Sequence, residues 1–163
     1  MALKFTTAEE SSAQNGVKCL VYGPAGMGKT VLTATCPTPI LLSAESGLLS
    51  LRKANLERLF GVGNPWISYH IPVIQISTVD DLREAYEWAA RSTEAQGFAT
   101  IALDSISEIA EVVLNNAKRQ VKDPRQAYGE LIEKMQTLIR LFRDLPNKNV
   151  YFAAKMEPQK DEL

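Results

Sequence analysis

The stretch GPAGMGKT, Gly23 to Thr30, constrains this 163-residue chain more than any other. It fits the pattern G-x-x-x-x-G-K-[ST], in which Gly26 and Gly28 let the backbone turn so that successive N–H groups face inward. Before it runs VKCLVYG (17–23), a short apolar and β-branched strand signal, and after it KTVLTATC, which reads as a helix stopped by Pro-Thr-Pro. Strand, glycine turn and helix in that order make a cradle for phosphate. Residues Gly23, Pro24, Ala25, Gly26, Met27, Gly28, Lys29, Thr30 and Val31 are its expected contacts, with Lys29 reaching the β- and γ-phosphates and the Thr30 hydroxyl ligating Mg²⁺. The alternative, a glycine turn that happens to precede a helix, gives no reason for Lys-Thr directly after Gly28.

Further along, strands and helices alternate. ILLSA (40–44), PVIQIS (72–77), FATIALD (98–104) and NVYFAAK (149–155) read as strands. Thr78 and Asp81 form a capping pair before Val79, Leu82, Ala85, Tyr86 and Ala89, which share one helical face. Ser105 and Glu108 open a second helix carrying Ile106, Ile109, Ala110, Val113 and Ala117, and Asp123-Pro124 a third carrying Leu131, Met135, Leu138, Ile139 and Phe142. Between the second and third strands only small helices or loops are expected. The alternation predicts a three-layer α/β fold, a mainly parallel sheet flanked by helices. Residues 1–15 are polar and aperiodic and read as a flexible arm, leaving 16–163 as one core.

Eighteen basic and nineteen acidic residues give a net charge of −1, so partners must be argued from local sites. Two cysteines and one histidine fall short of a four-ligand zinc site unless carboxylates join, and the cysteines are expected reduced and partly buried. No apolar run reaches transmembrane or signal-peptide length, which predicts a cytoplasmic protein with no membrane partner. The terminal KDEL imitates a retrieval address and, with no leader in view, reads as coincidence. His70 reads as a partly buried loop residue, and Trp66 and Trp88 as packing groups.

Ligands of open α/β sheets bind beyond the carboxyl ends of the strands, which places Asp104 across one crevice from the loop after Gly23. A carboxylate there suits the metal's coordination shell; the alternative is a helix cap, a role that Ser105 fills better. The guanine-reading N-K-x-D is absent, since NKNV (147–150) lacks the aspartate, and this argues against a GTPase. Ser105 rather than an acid follows Asp104, so a water-activating base must come from elsewhere. Glu45 at the end of ILLSA is the candidate, the alternative being a plain surface or helix-start carboxylate near Ser46 and Gly47.

Here the sequence resembles a family. TIALDSISEI resembles the metal-binding strand of RecA-type recombinases, and LLSAESGLL is similar to that family's strand ending in the acid that primes water. GPAGMGKT, SAESGLLSL, DPRQAYGEL and the FAAK strand together resemble the phage-encoded RecA-like ATPases of the Sak single-strand-annealing group over about residues 17–160. The resemblance implies ATP hydrolysis with Mg²⁺ on Thr30 and Asp104, catalysis by Glu45 and Lys29, and Lys155 in the position of a polar γ-phosphate sensor that is generally glutamine in RecA proteins. It also implies single-stranded DNA as partner, a homo-oligomer, a single-strand-binding protein as a further partner, and a bacterial host cytoplasm. A RecA-type core continues past Lys155 into a DNA-binding loop and a further strand, so the carboxyl end reads as truncated or reduced.

The basic stretch KRQVKDPR supplies Lys118, Arg119, Lys122 and Arg125 where RecA-like proteins often carry a DNA-contacting loop. Four cations without interleaved aromatics would follow the phosphate backbone with little sequence preference; the alternative is a solvated connection. Tyr128 either stacks a base or packs at the helix start. Two functions remain open: an ATPase acting on single-stranded DNA, or an ATP-binding module with little hydrolysis that organises a partner. A small-molecule kinase would need an arginine-rich lid, and no segment reads as one.

Overall fold

The computed structural model describes residues 5–12, 16–45, 48–118 and 124–156. In chain order these form α1 (Ala8–Ser12), β1 (Lys18–Gly23), α2 (Lys29–Leu32), β2 (Pro39–Ser43), α3 (Lys53–Phe60), β3 (Val73–Gln75), α4 (Val79–Arg91), β4 (Thr100–Leu103), α5 (Ile106–Lys118), α6 (Pro124–Arg143) and β5 (Asn149–Lys155). Short 3-10 turns at Thr33–Thr35, Leu49–Leu51 and Glu94–Gly97 link them. The five strands make one sheet in the order β1-β5-β4-β2-β3, and every neighbouring pair is parallel. This is the expected three-layer α/β architecture of a P-loop fold.

The two-residue period of the strands sorts the core. Ile40, Leu42, Ile101, Leu103, Val150 and Phe152 point to the face covered by α4, α5 and α6, where Leu82, Ile109, Val113, Leu138 and Phe142 are buried with them. Leu41, Ala102, Tyr151 and Ala153 point the other way. On that face the Tyr151 hydroxyl donates to the Lys29 carbonyl at 2.7 Å, tying β5 to the α2 turn.

The expected capping pair at the start of α4 forms fully: the Thr78 side chain accepts from the Asp81 N–H at 3.1 Å, and Asp81 Oδ2 accepts from the Thr78 N–H at 2.8 Å. At α5 the Ser105 hydroxyl accepts from the Glu108 N–H at 3.1 Å, whereas the Glu108 carboxylate reaches across to Lys155. Asp123, the expected cap of α6, lies outside the described residues.

Several expectations change. The helix expected over KTVLTATC is one α-turn, Lys29–Leu32, continued by a 3-10 turn. β3 is shorter than 72–77 because only Val73–Gln75 pairs with β2, although Ile76 stays buried. Within the arm expected to be loose, Ala8–Ser12 is helical because Thr7 and Glu10 cap reciprocally: the Thr7 hydroxyl accepts from the Glu10 N–H at 3.1 Å and Glu10 Oε2 from the Thr7 N–H at 3.0 Å. Trp66, expected to pack, is 83% exposed. Its loop is turned by Asn64, whose Oδ1 accepts from the Trp66 N–H at 3.0 Å. His70 is exposed as well, and Cys19 is exposed while Cys36 is half-buried; both thiols are free. Trp88 does pack, its ring 5.8 Å from that of Phe98. Among the described residues no helix is long and apolar enough to cross a membrane.

Candidate nucleotide site

Parallel strands bring their carboxyl ends to one side of the sheet, and four of them meet around a cavity of about 310 Å³. The turn after β1 forms one wall. Gly26 and Gly28 have φ of +80° and +83°, a left-handed conformation that penalises any side chain, and both line the cavity. Because α2 is a single turn, its dipole adds little, and the loop amides with Lys29 supply most of the positive potential. Lys29 Nζ is folded back on its own loop, donating to the carbonyls of Gly23 and Pro24 at 2.7 Å each.

Ala25, Gly26, Gly28, Lys29, Thr30 and Val31 line the cavity. Gly23, Pro24 and Met27 belong to the loop but do not line it; the first two act through their carbonyls, and the Met27 side chain is largely in solvent.

Asp104 stands opposite at the end of β4, almost fully buried, and the peptide joining it to Ser105 is cis. Burial pushes its carboxyl above the usual aspartate range, opposed by a hydrogen bond from Thr30 and by the Lys29 charge. A threonine hydroxyl hydrogen-bonded to a carboxylate is a hard oxygen donor pair. It fits Mg²⁺, which takes few protein ligands and completes its shell with water and phosphate oxygens.

Glu45 follows β2 and also lines the cavity. The Ser43 hydroxyl accepts from its N–H at 3.1 Å, and Gln75 Nε2 donates to its carbonyl at 3.3 Å, so the ends of β2 and β3 both hold its backbone. Burial pushes its carboxyl up, the Asp104 and Glu108 charges push it further, and Lys155 opposes them. Lys155 closes the last side from the end of β5.

The sequence reading missed Ser50 and Ser105 as wall residues, Gln75 as a support of Glu45, and Glu108 as the partner of Lys155. Glu108 was visible only as a capping acid, because the S-x-x-E spacing gave it a sufficient local role, whereas its carboxylate pairs with Lys155. Of the basic stretch, Lys118 lies exposed at the end of α5, Arg119 and Lys122 lie outside the described residues, and so does the side chain of Arg125.

A glycine loop, its lysine, a buried strand-end aspartate and a five-stranded parallel sheet define a P-loop nucleotide-binding domain of the ATPase class. The chain matches the AAA domain family over residues 15–163 and belongs to it. No match is found among curated proteins. Among solved structures, the KaiC-like protein PH0186 from the hyperthermophilic archaeon Pyrococcus horikoshii OT3 aligns at 18% identity with a TM-score of 0.46, covering 86% of this chain and 61% of that one. The chain thus spans about three-fifths of the length of that structure.

Proposed function

We propose that this domain binds ATP with Mg²⁺ and hydrolyses it, as the motor of a homo-oligomer acting on single-stranded DNA in recombination or annealing, in the manner of the phage Sak group that its sequence resembles. The observation that carries the nucleotide part is the convergence of Thr30, Glu45, Asp104 and Lys155, from four separate strand ends, on one cavity.

Phosphoryl transfer to water asks a protein chiefly for positioning and charge neutralisation. In this reading the loop amides and Lys29 hold the phosphates, Lys29 leaving the Gly23 and Pro24 carbonyls to do so. Thr30 and Asp104 hold Mg²⁺, whose chemistry is to neutralise charge on the phosphate oxygens. Glu45 orients the attacking water and accepts its proton, and its partly buried setting favours that role by making the carboxylate more basic than a solvated one. Lys155 contacts the terminal phosphate. Lys118, Arg119, Lys122 and Arg125 follow the DNA backbone, and a single-strand-binding protein is the natural accessory in the host cytoplasm.

Phosphate release by Glu45→Gln tests the reading. ATP affinity should stay near that of the wild type while turnover falls by at least about a hundredfold. Unchanged turnover would favour the alternative, an ATP-binding module that organises a partner. Wild-type turnover should also rise on adding single-stranded DNA, with the stimulation fading steeply as salt increases; indifference to DNA removes the recombination part and leaves the nucleotide part standing.

A further inference from the structure

Lys155 faces two ways. It lines the cavity, yet its ammonium is ion-paired with Glu108, a residue that does not line that cavity. A second bond fixes the same corner, since the Lys155 N–H donates to the Ser107 hydroxyl at 3.0 Å. The end of β5 is therefore tied to the first turn of α5, which begins two residues beyond Asp104. Glu111 and Glu45 add further negative potential around the ammonium.

A purely structural pair is a weak account of this arrangement. The two side chains are 39% and 25% exposed, and ion pairs at such exposure contribute little to stability. The pair does keep the Lys155 cation engaged before any anion arrives. In the nucleotide reading above, a terminal phosphate reaching Lys155 would compete with Glu108 for it, whereas a diphosphate held by the loop would lack that phosphate.

We propose that Glu108 is a positioning residue that holds Lys155 in the nucleotide-free state and yields it to the terminal phosphate, so that the exchange of partners sets the preference for triphosphate over diphosphate. This rests on the nucleotide-site reading above but not on hydrolysis or DNA. The energy available for discrimination is the difference between the two partners of one cation, and removing the internal competitor shifts the balance toward the bound state.

Titration calorimetry with Mg·ATPγS and Mg·ADP, neither of which requires turnover, tests it. In Glu108→Gln the ATPγS affinity should rise about threefold, the size of a partly exposed ion pair, while ADP affinity stays put and serves as a check that the variant is folded. Glu108→Asp, which keeps the charge, should move the ratio back toward wild type. Lys155→Ala should lose the triphosphate preference, and adding Glu108→Gln to it should change nothing more. An unchanged or lowered preference in Glu108→Gln, or an effect that persists without Lys155, overturns the proposal. If the wild type binds ATPγS but releases no phosphate from ATP, the hydrolysis reading falls and this one is judged on the ratio alone; if it binds neither nucleotide, both fall.

Discussion

The strands carrying opposite walls of the cavity differ sharply. β4 is buried along its whole length and delivers Asp104 from the middle of the core. β1, which delivers the phosphate loop, has a single sheet neighbour among the described residues, and its Leu20 and Tyr22 are 57% and 69% exposed. The acid wall is thus positioned by close packing, and the cradle by the pairing of β1 with β5 and by local backbone geometry. Damage to the core should reach the site through Asp104, and damage to the β1 surface should scarcely reach it at all.

Two truncations would break or sharpen that contrast. Leu103→Ala leaves a cavity beside Asp104 and should cost about 2–5 kcal/mol in denaturant unfolding. Leu20→Ala, of the same chemistry, should cost no more than about 1 kcal/mol. Similar costs for the two would mean that the outer side of β1 is covered in solution.

A smaller effect concerns acid sensitivity. Glu45 must be ionised to accept a proton, and burial with the Asp104 and Glu108 charges raises its pKa, so kcat/KM should fall with decreasing pH at a higher pH than an ordinary glutamate would give. Lys155 opposes that rise. Removing its charge in Lys155→Met should therefore move the acid limb of the residual activity upward, and a downward move would contradict the charge arrangement around Glu45.

Much of this was legible in the sequence because it is local or set by the parallel sheet. The glycine loop is eight consecutive residues, and its two left-handed positions are both glycine. Once strands alternate with helices, the carboxyl ends of the strands must share a side, which brought Glu45, Asp104 and Lys155 together without any knowledge of side-chain contacts. What stayed hidden depends on partners far apart in the chain. Glu108 and Lys155 are 47 positions apart, and a capping spacing gave a sufficient local reason for the glutamate. Trp66 departs from expectation because its large apolar side chain sits in a loop turned by Asn64 and stays exposed. The α1 turn was overlooked because its capping pair precedes no apolar face.

The central claim is that the loop after β1 and the buried acid after β4 form a single Mg·ATP site. Equilibrium titration of Mg·ATPγS into the wild type, Lys29→Ala and Asp104→Asn tests it most directly. Saturable one-to-one binding by the wild type, lost in Lys29→Ala and no longer strengthened by magnesium in Asp104→Asn, is the predicted result. A wild-type chain that does not bind, or an Asp104→Asn variant whose magnesium dependence is intact, would contradict it.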